Sequence, residues 1–148
     1  EVIVQDDTQQ TASSIHTFEM ATILGLNIPT TLNFGTLERE QSTTDQTNTA
    51  YILTQYGNDV ASVLVSGGDM ACATSGTIFA SSISWSLTDI SANNPAVTSL
   101  TGTPTDVGMS LGTDDDVELI KSLFFNITLP SVVSGACSGS MSIEATPD

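Results

Sequence analysis

Leu119-Ile120-Lys121-Ser122-Leu123-Phe124-Phe125-Asn126-Ile127-Thr128-Leu129 carries the clearest structural signal in the chain. Leu123, Phe125, Ile127 and Leu129 fall on one face at a period of two, which is the signature of a half-buried β-strand. Residues 115–123 offer one weak helical turn, but the period-two pattern fits better. Outward from this strand the alternation recurs. Residues 139–145 turn Met141, Ile143 and Ala145 inward, residues 77–87 put Ile83, Trp85 and Leu87 on one face, and residues 107–111 form a short strand. Residues 51–56 and 60–65 are two more strands, and Gly57-Asn58-Asp59 between them predicts a hairpin turn. Phe18, Met20, Thr22 and Leu24 alternate, then Ile28, Thr30, Leu32 and Phe34, with a bend at Gly25 and an edge or strand start at Pro29. Polar, Gly- and Pro-containing connections separate these runs. About eight short strands divided by turn clusters predict an all-β fold, a jelly-roll or Ig-like β-sandwich.

A chain of 148 residues fits one domain with a core of its own. Its formal charge is −15, with 17 acidic residues against two bases, Arg39 and Lys121. Nucleic-acid binding needs clustered Lys and Arg to displace counterions, so nucleic acid is excluded as a partner. A uniformly negative surface keeps copies apart until salt or divalent cations screen the repulsion. There is no apolar run of about 18 residues or more, hence no transmembrane segment in this sequence. The chain opens at Glu1 without Met, as expected of a secreted protein whose signal peptide has been removed, or of a trimmed chain. Cys72 and Cys137 lack the CxxC spacing of a redox or zinc site, and a structural disulfide in an extracellular, cell-surface protein is the simplest reading. The alternative is two buried thiols in a cytosolic protein.

Three stretches carry a family resemblance: Leu32-Asn33-Phe34-Gly35-Thr36-Leu37, Leu100-Thr101-Gly102-Thr103-Pro104, and Ile127-Thr128-Leu129-Pro130 running into Gly135-Ala136-Cys137-Ser138-Gly139-Ser140-Met141-Ser142-Ile143. As a pattern the chain resembles the TasA-type biofilm fibre proteins and the archaeal bundling pilins over most of residues 18–146, through short motifs. The resemblance implies a jelly-roll-like sandwich polymerised by donor-strand exchange. The cysteine pair lies outside that pattern. The residues lead to a similar expectation by themselves. An open sandwich edge presents unpaired N–H and C=O groups, and strand addition satisfies them while alternate side chains fill pockets. Val2, Ile3 and Val4 are β-formers at the head of a polar segment. Residues 1–17 are therefore expected to be a donor-strand extension and residues 18–148 the β-sandwich domain. The expected partner is a further copy of the chain, in a head-to-tail homopolymer, because a contact that does not close on itself generates a filament. The competing expectation has residues 1–17 as an ordinary first strand of their own subunit.

The chemical candidates are weaker. Gly135-Ala136-Cys137-Ser138-Gly139 has the shape of a nucleophile elbow, but only nine residues follow it and none is His. His16, the single histidine, can build neither a triad nor a zinc site. No catalytic residue, and no enzyme, is expected. Asp114, Asp115, Asp116 and Glu118 could offer oxygen ligands to calcium, as could Asp6 and Asp7, though a solvated acidic turn reads better; no other cofactor is expected. Asn126-Ile127-Thr128 is the one N-glycosylation sequon, inside a strand-like run and so read as incidental. Lys121 is in phase with Leu123 and Phe125 and is read as a strand-end residue reaching solvent. The alternative function is a secreted binding module, an adhesin or carbohydrate-binding domain, with Trp85, Tyr51 and Tyr56 as a stacking platform.

Overall fold

The computed structural model describes residues 2–5, 11–14, 20–43, 49–89, 97–113 and 120–148. Its strands are β1 (Val2–Gln5), β2 (Thr11–Ser14), β3 (Leu26–Asn27), β4 (Thr49–Gln55), β5 (Ala61–Gly67), β6 (Met70–Cys72), β7 (Thr77–Ile78), β8 (Ile83–Ser86), β9 (Thr98–Ser99), β10 (Thr105–Leu111), β11 (Ile120–Ile127), β12 (Cys137–Ser138) and β13 (Met141–Pro147). One 3₁₀ turn, Ala80–Ser82, separates β7 from β8. Every strand pairing is antiparallel. The fold is the all-β sandwich that the alternation predicts.

One layer is a five-stranded sheet in the order β3-β4-β11-β8-β9. The other consists of two three-stranded sheets, β10-β5-β13 and β12-β6-β7. Gly67 and Gly68 carry β5 towards β6, and the Gly68 N–H donates to the Ser140 carbonyl, so the second sheet prolongs the first. β11 is the centre of the five-stranded layer, paired with β4 on one side and β8 on the other. Leu123, Phe125 and Ile127 are its buried face, and Lys121 is half-buried at the strand's end, opposite Leu53. They meet Val63 and Val65 of β5 and Val107, Met109 and Leu111 of β10 in a single core, with Ile83 and Trp85 of β8. Tyr51 stands edge-on to Phe125, ring centroids 5.9 Å apart and planes at 86°, an arrangement favoured by the ring quadrupoles.

Three sequence expectations are corrected. Gly57-Asn58-Asp59 is no hairpin turn: β4 and β5 belong to different layers, and the three residues are the corner between them. Each strand has its own apolar face to bury, and putting the two faces against one another buries both. The corner is held from outside, where the Asn58 side chain accepts from the Ile23 N–H at 2.7 Å and donates to the Ala21 carbonyl at 3.1 Å. A Cβ on Gly57 would lie 2.2 Å from the Ile23 carbonyl oxygen, so only glycine fits the close approach. Residues 77–87 are not one strand either. The 3₁₀ turn switches the chain from the second layer to the first, and Leu87 is 42% exposed. Residues 28–34 form no strand: Pro29 has no N–H to donate, and the Asn33 side chain accepts from the Gly35 N–H, where φ is +72°, turning the backbone aside. The expected strand around Phe18 to Leu24 lies partly outside the described residues, and 20–25 carry no strand; Gly25 and Ile23 nevertheless accept from the N–H groups of Tyr56 and Asn58, continuing the β3–β4 pairing.

Replacing the fully buried Phe125 by alanine is expected to lower the unfolding free energy by roughly 3–5 kcal/mol in urea titration. Phe79→Ala, at a side chain 60% exposed, should change it by less than about 0.5 kcal/mol.

Candidate functional site

The side of the sandwich between the β4 edge and the β13 edge is closed by no strand among the described residues. Among the described residues β13 pairs with β5 alone. Its inward residues Met141 and Ile143 are only half-buried, unlike their partners across the sheet. Glu144 and Pro147 sit on the far half of this edge, where a charge and a missing N–H discourage strand addition. The near half, residues 139–143, carries no charge.

Residues 28–37 run along this seam. Ile28, Leu32, Phe34 and Leu37 are half-buried and packed on the core, and the residues between them are exposed. Residues 28–32 and 34–37 form no backbone–backbone hydrogen bond with another described residue. The Tyr51 hydroxyl donates to the Pro29 carbonyl. Burial of Tyr51 raises its hydroxyl pKa above the usual tyrosine value. The strap leaves cavities on both sides. One, about 380 Å³, opens between Leu32 and Phe34 and the residues Gly68, Gly139, Ser140 and Met141. The other, about 480 Å³, lies between residues 32–37 and Ile127, Leu129 and residues 135–137. Met70 lines both. None of the lining residues is charged. Gly139 keeps the groove open, since a Cβ there would meet Met70 Cγ at 2.8 Å.

The disulfide Cys72–Cys137 joins directly opposed residues of β6 and β12 and so anchors the floor of the larger cavity. Cys137 is thus no free nucleophile, and the Gly135 to Gly139 run carries the short strand β12, with Gly135 at φ +88° leading into it.

The other sequence candidates are scattered. Val2, Ile3 and Val4 lie in β1, which pairs with β2 in a two-stranded sheet that, among the described residues, shares no ladder with the other three sheets. Asp6, Asp7, His16, Asp114, Asp115, Asp116 and Glu118 fall outside the described residues. Among the described residues no three His, Cys, Asp or Glu side chains gather where a metal could sit. The Asn126 side chain accepts from the Thr43 hydroxyl at 2.8 Å within a paired strand, so the sequon is part of the sheet's packing. Tyr51 and Trp85 are 4% and 7% exposed, leaving Tyr56, at 62%, as the one exposed member of the proposed aromatic platform. The groove residues Leu32, Phe34, Met70 and Gly139 were not legible as a site. The available signal was that residues 28–37 and 135–143 both lack charge in so acidic a chain.

No family model matches the chain, and neither a curated protein nor a solved structure is found to be similar to it. No helix among the described residues is long and apolar enough to cross a membrane.

Two expectations test this geometry. Cys72→Ser with Cys137→Ser opens a closure spanning 65 positions and should lower the unfolding free energy by about 4 kcal/mol, measured in urea with the oxidised wild type as reference. Tyr51→Phe should cost about 1 kcal/mol at neutral pH by leaving the Pro29 carbonyl without its donor. A raised folded-state pKa means that Tyr51's contribution is intact below the unfolded value of about 10 and is lost as pH rises beyond it. The wild type should therefore lose more stability than the phenylalanine variant between pH 9 and pH 11, roughly, in thermal melts.

Proposed function

We propose that this chain is a secreted, non-catalytic structural subunit of an extracellular filament, polymerised when the N-terminal strand of one copy adds to the sandwich of the next. The observation that carries this reading is the uncharged groove beside the β13 edge, in a chain of net charge −15. Any second copy approaches against electrostatic repulsion almost everywhere else, and at an uncharged seam, beside an edge that no described strand pairs, that repulsion is weakest.

β1 supplies the complementary piece. Val2, Ile3 and Val4 favour extended backbone, and the strand's pairing with β2 leaves its other side available. A two-stranded hairpin is marginally stable in water, so joining a larger sheet improves its position. Residues 1–17 serve as the donor extension and residues 18–148 as the acceptor domain. The contact is head-to-tail and propagates, requiring no nucleic acid and no cofactor. A disulfide-bridged sandwich suits the oxidising exterior of a cell.

Deletion of residues 1–15 should convert filaments, seen by negative-stain microscopy, into a monomer sedimenting at the mass of one chain. Filaments that persist after the deletion overturn strand donation.

A further inference from the structure

We propose that residues 28–37 are a removable plug, which occupies the seam in a lone subunit and is displaced when the Val2–Gln5 strand of a second copy enters. This inference rests on the strand-donation reading and adds to it a step that reading does not contain.

Four observations converge on it. First, the segment is seated by side chains and not by a ladder: Ile28, Leu32, Phe34 and Leu37 pack on the core, while residues 28–32 and 34–37 form no backbone–backbone hydrogen bond with another described residue. Second, it fills the seam poorly, leaving the cavities of about 380 and 480 Å³ on its two sides. These are half-open clefts that solvent can enter, so the apolar side chains along them lack the neighbours that a close-packed wall would supply. Third, the segment is tethered at both ends by pairing that need not break when its middle leaves. Before it, Leu26 and Asn27 pair with Gln55 and Thr54; after it, Ser42 bridges Thr128. Glu40, at φ +61°, and the Gln41-to-Glu38 turn form a bend on which the segment can swing. Fourth, the seat is uncharged, so a strand from an equally acidic copy meets no fixed negative charge there.

An incoming strand offers what the plug lacks. It can place alternate apolar side chains into the two cavities and at the same time satisfy the outward N–H and C=O groups of residues 141–143. Residues 28–32 and 34–37 of the plug supply side chains without a backbone ladder. The Tyr51 hydroxyl on the Pro29 carbonyl is the latch at its N-terminal end.

A single thiol tests this, because both native cysteines are bound in the disulfide. Leu32→Cys in the full chain is labelled with a maleimide, with and without a synthetic peptide of residues 1–15, and hydrogen exchange at residues 141–143 is followed in parallel. Val132→Cys, at a position 69% exposed, controls for reagent access. The expected result is a labelling rate at least about tenfold higher with peptide at position 32 and unchanged at position 132, together with slower exchange at 141–143. Phe34→Cys repeats the measurement should Leu32→Cys fail to fold. Slower exchange at 141–143 with labelling at position 32 unchanged or reduced overturns the plug and leaves strand donation standing. A peptide that alters neither readout overturns strand donation, and the plug with it.

Discussion

The structure depends on the burial of one face of β11. This strand is paired on both sides, so its backbone is satisfied within the sheet, and Leu123, Phe125 and Ile127 can be shielded from water only by a second layer. β5 provides the centre of that layer, with the same alternation and Val63 and Val65 at its middle. The corner at Gly57 to Asp59 follows from this demand. Strands adjacent in sequence and apolar on one face each can pair side by side or face each other across a core. Here the second arrangement covers β4 and β5 at once, and the Asn58 side chain stabilises the turn from outside.

The two layers are not equally complete. The second runs on past β5 and β13 into β6 and β12, fastened by Cys72–Cys137, and it extends beneath a region where residues 28–37 lie without strand pairing. Local chemistry explains the gap: Pro29 withholds a donor, and the Asn33–Gly35 interaction bends the chain. What remains is a seam with apolar walls, an unpaired sheet edge and unfilled volume. The physics that makes such edges hazardous is also what makes them useful for assembly. On β13 the hazard is confined, since Glu144 and Pro147 occupy the half away from the cavities.

Charge sets the conditions under which such a seam could be used. At −15, copies repel at long range, and the repulsion weakens over a Debye length of about 8 Å at physiological ionic strength. Contact through an uncharged groove avoids adding short-range repulsion to that term. A soluble subunit and a self-associating one are therefore compatible in one sequence, with ionic strength as the natural control.

The class of fold is written in the local residue pattern. Period-two runs at 123–129, 139–145 and 51–56, parted by turn residues, are a local property that survives in any β context, and the strands stand where those runs predict. That Cys72 and Cys137 suit a disulfide is legible in the sequence too. Which strands pair, and which face one another across the core, follows from long-range packing. Glycine, asparagine and aspartate at 57–59 suit a hairpin and a corner equally well, and the choice lies in contacts with Ile23 and Ala21, more than thirty residues away. The groove was hidden for the same reason. Its walls come from residues near 32, 70, 139 and 141, whose side chains look like ordinary core candidates until the unpaired edge and the empty volume beside them are seen together.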